Sequence, residues 1–190
     1  MTSSAPDSGA GGARRLFIGI EMPAFVQARL AALQADLPGA RWQWPEDMHL
    51  TVRFLGGVAE DRQSSVCASM QGLGLAPFDL AVQGVGSFSG RVFWAAIKPN
   101  EYLNLLKQLV DQRLAKIDMP IEERDFVPHV TLARSSRRQH PAADDFLARH
   151  RDLELPPWTV KHLTLFSSHP GGSGPMYRVV ERFVLDTDAA

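Results

Sequence analysis

Cysteine is almost missing from this 190-residue chain: Cys67 stands alone, which excludes an intramolecular disulfide and a Cys-rich zinc site. A reducing, cytoplasmic setting is expected. No stretch approaches the roughly 18 consecutive apolar residues that a membrane-crossing helix needs, and Met1 to Ala13 are small and polar, without the apolar core of a secretory leader. Arg14-Arg15 reads like the opening of a twin-arginine signal, but Glu21 and Pro23 interrupt the apolar run behind it. Charge of one sign is lacking too: 20 Lys and Arg against 21 Asp and Glu leave a formal −1. That balance argues against wide, sequence-independent binding to duplex nucleic acid, which needs many cationic contacts to phosphates. There is no His-Glu-x-x-His or similar spacing, and His140, His150 and His169 are scattered through polar stretches, so no metal and no cofactor is expected. Gly171-Gly172-Ser173-Gly174 has no following Lys and no strand-to-helix setting, so it reads as a turn and not as a phosphate-cradling loop.

The chain does hold 45% hydrophobic and 22% charged residues, an ordinary make-up for one well-buried core or two small lobes. Its most informative feature is a repeated tetrapeptide, His49-Leu50-Thr51-Val52 and His129-Val130-Thr131-Leu132. On a strand, alternation sends each His and the Thr two residues on to one face and the apolar residues to the other. Two such strands would offer two imidazoles and two hydroxyls to one cleft. Imidazole, with an unperturbed pKa of about 6.5, gives or takes a proton near neutrality, so a pair can act as acid and base together.

Six His, six Thr and 45% hydrophobic positions predict about 0.04 chance matches to His-apolar-Thr-apolar per chain, a crude gauge of false positives. There are three. The third, His162-Leu163-Thr164-Leu165, lies inside an apolar run from Trp158 to Phe166 and reads as a core strand. His49 and His129 instead each open a strand just after turn-like residues, Pro45-Glu46-Asp47 and Asp125-Phe126-Val127-Pro128.

Periodicity orders the remaining elements. Leu16 to Ile20 reads as a strand, followed by a helix from Pro23 carrying Val26, Leu30, Leu33 and Leu37. The first motif strand, Met48 to Leu55, precedes a helix from Asp61 to Leu73. Phe78 to Val85 and Arg91 to Ile97 are expected as a hairpin around Gly86 to Gly90. Asn100 caps a helix bearing Leu103, Leu106, Leu109, Val110 and Leu114. The second motif strand, a short helix near Asp144 to Arg149, and strands around Val160 to Ser167 and Tyr177 to Leu185 complete the order.

In sequence order, Arg15-Leu16-Phe17-Ile18-Gly19-Ile20-Glu21-Met22-Pro23, His49 to Gly56, Pro128 to Arg134, and Leu163 to Ser168 before Tyr177 resemble the two-histidine phosphoesterase superfamily. Within it, the chain is similar to the bacterial and archaeal RNA 2′,3′-cyclic phosphodiesterases, historically called 2′-5′ RNA ligases or LigT proteins. The resemblance runs from about Arg14 to Leu185. It implies an α+β fold with two pseudosymmetric lobes of antiparallel sheet, outer helices and a central groove. Residues 14–186 would form that single two-lobed domain behind a disordered tail, 1–13.

Opening a 2′,3′-cyclic phosphate requires the attacking water to lose a proton and the departing ribose oxygen to gain one. Two imidazoles on opposite sides of phosphorus would do both, and Thr51 and Thr131 would donate hydrogen bonds to the non-bridging oxygens as charge builds. The resemblance implies that His49 is the proton donor, His129 the acceptor, and a 2′-phosphate the product; the residues by themselves leave the two roles open. It also implies that Arg134 contacts the phosphate or adjoining nucleotide, its planar fork suiting phosphate. Arg137 and Arg138 extend this basic cluster or belong to a solvated loop. Phe126 is either a stacking platform for the terminal base or a core residue. Arg53 shares the parity of His49 and Thr51, though an ion pair is its more ordinary use. The expected substrates are RNA 3′ ends or small cyclic nucleotides, with no membrane and no obligate protein partner. Rival readings are a reversible 2′-5′ RNA ligase, a phosphodiesterase for other 2′-5′ or cyclic nucleotides, and a non-catalytic RNA-end binding module.

Overall fold

The computed structural model describes residues 13–136, 140–171 and 174–186. The expected N-terminal tail, apart from Ala13, lies outside the described residues, as do Arg137, Arg138, Gly172 and Ser173. The main sheet is antiparallel, and its first half runs in the order β10 (Tyr177–Val184), β9 (His162–Ser168), β1 (Arg14–Glu21), β3 (His49–Val58). It continues through β7 (His129–Arg134), β6 (Val92–Ile97) and β5 (Val82–Phe88), while the two-residue β2 (Arg41–Trp42) pairs with the end of β7. The halves meet where β3 runs antiparallel to β7, with Leu50 opposite Val130.

The two motif strands form because their alternate residues have somewhere apolar to go. Leu50, Val52, Val130 and Leu132 are essentially inaccessible and belong to one core cluster, together with the inward faces of helices α1 (Ala24–Ala31) and α3 (Glu101–Ala115). Val26 and Leu30 face inward from α1, and Leu103, Leu106, Val110 and Leu114 from α3. Full burial of each such side chain is worth about 1.5–3 kcal/mol, more than helix propensity supplies. Asn100 caps α3 as expected: the Leu103 N–H donates to its side-chain oxygen at 2.9 Å. A short α4 (Ala143–His150) falls where the sequence put it.

Several boundaries differ from the sequence reading: α1 gives way to a 3-10 turn at Ala32–Asp36, and β3 runs on past Leu55 through Gly56 and Gly57 to Val58. Helix α2 (Glu60–Ser69) stops before Leu73 because Gly72 and Gly74 take positive φ, +55° and +68°, which ends the helical path, while Ser69 Oγ and the N–H groups of Met70 and Gln71 satisfy the carbonyls of Val66, Cys67 and Ala68. The expected strand Phe78 to Val85 is divided: β4 (Phe78–Leu80) pairs with β8 (Trp158–Val160) in a separate two-stranded sheet. In β5, Gly84 takes a φ of +78° where a Cβ would meet the Arg151 carbonyl at 2.9 Å. The hairpin turn shrinks to Ser89 and Gly90, both with positive φ, closed by the Arg91 N–H on the Phe88 carbonyl. Gly86 stays in the strand and not in the turn because the Trp94 ring lies where its side chain would be.

A further device repeats in both halves. Gly19 pairs with Thr51 and Ile18 with Arg53, so Val52 is an extra residue on β3. Trp94 pairs with Thr131 and Phe93 with Ala133, so Leu132 is an extra residue on β7. Each motif therefore ends in a β-bulge at its fourth residue, and a bulge re-aims the side chains beyond it. Past the bulge, Arg53 and Ala133 turn into the core, and Phe54 and Arg134 turn outward.

Candidate active site

The Leu50–Val130 register sets His49 across the seam from Thr131, and Thr51 across from His129. Four polar side chains thus stand at the corners of one patch, each half supplying an imidazole to the other's hydroxyl. They line a groove of about 590 Å³.

Both imidazoles are held by the same local bond. Nδ1–H of His49 donates to the Asp47 carbonyl at 2.6 Å, and Nδ1–H of His129 donates to the Val127 carbonyl at 2.6 Å. A carbonyl only accepts, so the hydrogen is assigned to Nδ1 and the Nε2 lone pair is left for the groove. His49 is boxed by aromatic rings, with Phe17 at 4.5 Å, Tyr177 edge-on at 4.8 Å and Phe166 at 5.6 Å between centroids. Burial pushes its pKa down to about 4, against the pull of its bond to Asp47 and reinforced by the charges of His129 and Arg134. His129 has Phe88 edge-on at 5.0 Å and Trp94 at 6.0 Å. Its pKa is lowered as well, first by burial and then by Arg134, with the bond to Val127 opposing. Both shifts favour the neutral imidazole, and a negative charge nearby would oppose them.

The groove is built to attract one. Arg15, Arg124 and Arg134 line it, and no Asp or Glu does among the described residues. The chain's near-zero net charge hides this local field, because the acidic residues lie elsewhere. Arg134 reaches the groove through the bulge at Leu132. Arg53, by contrast, is turned away: it is 4% exposed, donates to the Pro120 carbonyl and pairs with Asp111 at 3.5 Å and Glu122 at 3.7 Å. Phe126 is half-buried against the core beside the groove, with Lys107 Nζ 5.8 Å from its ring centroid. It lines a smaller adjoining cavity and not the main groove. The third motif is divided on β9: His162 is exposed beside a separate depression, and Thr164 is buried and donates to Glu21.

Sequence reasoning missed Asp47. Its carboxylate is 2% exposed and accepts the backbone N–H groups of Met176, at 2.8 Å, and Tyr177, at 3.0 Å, while its carbonyl holds His49. One residue therefore fixes both the first imidazole and the Tyr177 ring against it. Nothing in a turn-like Pro-Glu-Asp distinguishes a buried carboxylate from a solvated one. Arg15 and Arg124 were also given no place in the groove: Arg15 stood out only as part of the opening segment, and Arg124 lies outside every motif. Among the described residues, no three His, Cys, Asp or Glu side chains gather to hold a metal ion, and none forms a helix long and apolar enough to cross a membrane.

Paired His and Thr on opposed antiparallel strands of an α+β fold define a two-histidine phosphoesterase. The family model described as the 2′-5′ RNA ligase superfamily matches residues 22–172. An RNA 2′,3′-cyclic phosphodiesterase of Aquifex aeolicus (strain VF5) is 30% identical over 153 residues, 76% of this chain and 81% of that one. TT0787 of Thermus thermophilus superposes with a TM-score of 0.75 at 27% identity, covering 90% of this chain and 97% of that one. Escherichia coli LigT complexed with 3′-AMP gives 0.74 at 22% identity, over 91% and 98% of the two chains, and so shares the fold. The chain belongs to the 2′-5′ RNA ligase superfamily and, within it, to the RNA 2′,3′-cyclic phosphodiesterase family.

Proposed function

We propose that the protein is a cytoplasmic phosphodiester hydrolase that opens terminal RNA 2′,3′-cyclic phosphates to 2′-phosphomonoesters, with residues 14–186 acting as one two-lobed catalytic domain. The observation that carries this reading is the pair of imidazoles, each pinned through Nδ1 to the carbonyl two residues earlier, leaving an Nε2 on either side of an arginine-lined groove. The relatives' activity supports the choice of ester.

Water attacks phosphorus as Nε2 of His129 takes its proton. The bond from phosphorus to O3′ breaks, and Nε2–H of His49 protonates the departing oxygen. Thr51 and Thr131, each across the seam from the opposite imidazole, donate hydroxyl hydrogen bonds to the non-bridging oxygens, where charge builds. Arg134 supplies the charge-assisted contact to the same phosphate. A neutral His49 cannot serve as the acid, so it takes up a proton from solvent as the substrate binds: the phosphate anion offsets the burial and cationic repulsion that keep this imidazole uncharged in the empty groove.

A short RNA ending in a 2′,3′-cyclic phosphate, incubated in EDTA with the wild type, His49→Ala and His129→Ala, tests the reading. A 2′-phosphate product formed by the wild type and lost in both variants is expected. Turnover that vanishes with the chelator and returns with zinc would sink it.

A further inference from the structure

The loop that joins α3 to β7 carries Arg124 to the groove, yet little of its own backbone holds it. In residues 120–127 no N–H or carbonyl makes a backbone hydrogen bond among the described residues. Between buried Met119 and half-buried Phe126, every side chain is exposed except that of Glu122. Glu122 turns inward onto Arg53, the residue that the bulge at Val52 swings away from the groove, and pairs with its Nη1 at 3.7 Å. Nη2–H of the same guanidinium donates to the Pro120 carbonyl. Both tethers on residues 120–125 thus come from one side chain of the first motif strand.

Resting on the hydrolase reading above, we infer that Arg53 is a positioning residue: through Glu122 and the Pro120 carbonyl it holds Arg124 at the groove, where that guanidinium meets the anionic substrate. The core does not ask for a charge at this place. Arg53 is 4% exposed, its Nε–H has no partner among the described residues, and a buried ion pair gains little stability over a well-packed apolar side chain. What the planar fork adds is geometry, since it meets a carbonyl and two carboxylates at once, Glu122 and, at 3.5 Å, Asp111. Asp111 lies on α3 and is itself paired with Lys107 at 2.6 Å, so the tether is fixed to a helix. Both ends of the loop are held without Arg53. The Met119 N–H donates to the Leu114 carbonyl at 3.1 Å, Phe126 packs against the core, and the Ile97 N–H donates to the Pro128 carbonyl at 3.3 Å. Releasing the tether therefore frees residues 120–125 and leaves the Val127 carbonyl on His129. Its signature is weaker capture of substrate with the proton transfers intact.

The test is steady-state kinetics on a short RNA ending in a 2′,3′-cyclic phosphate, with the wild type, Glu122→Ala, Arg53→Lys, Arg124→Ala and the double variant Glu122→Ala/Arg124→Ala. Glu122→Ala is expected to raise KM by about 10-fold, the scale of one lost charge-assisted hydrogen bond, with kcat within about twofold of wild type. In the Arg124→Ala background the same change should add less than about twofold, because the group it positions is gone. A merely structural loss acts equally in both backgrounds, and that additivity, or a KM that Glu122→Ala leaves unchanged, overturns the inference. Arg53→Lys, whose single ammonium cannot span both tethers, should match Glu122→Ala; a folded Arg53→Lys with wild-type KM overturns it too, and Glu122→Ala carries the test if the lysine variant does not fold. Trypsin cleavage after Arg124 in the unliganded protein reads the loop without any substrate, measured against cleavage after Arg29 inside α1, which requires the helix to open. That ratio is expected to rise about tenfold in Glu122→Ala. A raised ratio in a protein whose wild type turns over no such RNA supports the tether and overturns the hydrolase reading, whereas an unchanged ratio overturns the tether.

Discussion

The two motif halves share a backbone and differ in what surrounds it. Both pin Nδ1 to the carbonyl two residues back at the same 2.6 Å, and both carry a bulge at the fourth residue of the tetrapeptide. Five residues after each His, however, the bulge presents Phe54 in one half and Arg134 in the other. His49 sits among Phe17, Phe166 and Tyr177, while His129 has Phe88 and Trp94 and is the less strongly shifted of the pair. A repeated backbone brings two imidazoles to one groove, and the side chains around them give each a different environment. In the mechanism proposed above, that difference is what separates acid from base.

The assignment breaks or holds most visibly on the leaving group. His129→Ala should lower kcat by at least about 10²- to 10⁴-fold on every phosphodiester. His49→Ala should do so on a ribose cyclic ester but approach wild-type rates on an aryl ester whose phenolate departs without a proton. Equal losses for both variants on both esters would mean the halves are interchangeable.

The fifth-residue contrast predicts a smaller effect. Arg134→Ala should reduce kcat/KM by about 10- to 100-fold, the range of a charge-assisted hydrogen bond, with Arg134→Lys recovering part of it. A variant within twofold of wild type, read in the same assay, would show that Phe54 and Arg134 differ without consequence for the phosphate.

The least drastic change concerns pH. In the free enzyme His49 titrates at about 4 and His129 below its usual value, so the productive pair, His49 charged and His129 neutral, is fullest on the acid side of neutrality. As pH rises through the neutral range His49 has already lost its proton, and kcat/KM should fall. kcat should hold to higher pH, because the bound phosphate anion raises the pKa of His49 and lets it regain a proton from solvent. Paired profiles that rise together through neutrality would contradict the lowered pKa of His49.

Much of this was legible in the chain because alternation is a local rule. His49, Thr51, His129 and Thr131 share a face as period two demands, and the apolar setting of His162 marked it as a strand residue away from the groove. Arg134 was placed by family pattern and not by periodicity: counting alternate residues from His129 leads to Ala133, which is buried. The same count offered Arg53 to the groove, yet Val52 bulges and sends it to Asp111 and Glu122. A bulge is a property of two strands in register, and neither strand's sequence declares it. The division of Phe78 to Val85 has the same origin, since β8 and the Arg151 carbonyl, both distant in sequence, decide it. Asp47 went unnoticed because its partners, Met176 and Tyr177, lie some 130 residues away.

The seam between the halves carries one more consequence. Each motif imidazole immediately precedes a member of the Leu50–Val130 pair, and that pair is where the two halves come into register. The distance between the two imidazoles is thus a dimension gauged in the dry interior, by two aliphatic side chains that belong to the core. Like the pivot of a pair of calipers, they let the jaws diverge in lining, Phe54 on one and Arg134 on the other, without altering the gap between them.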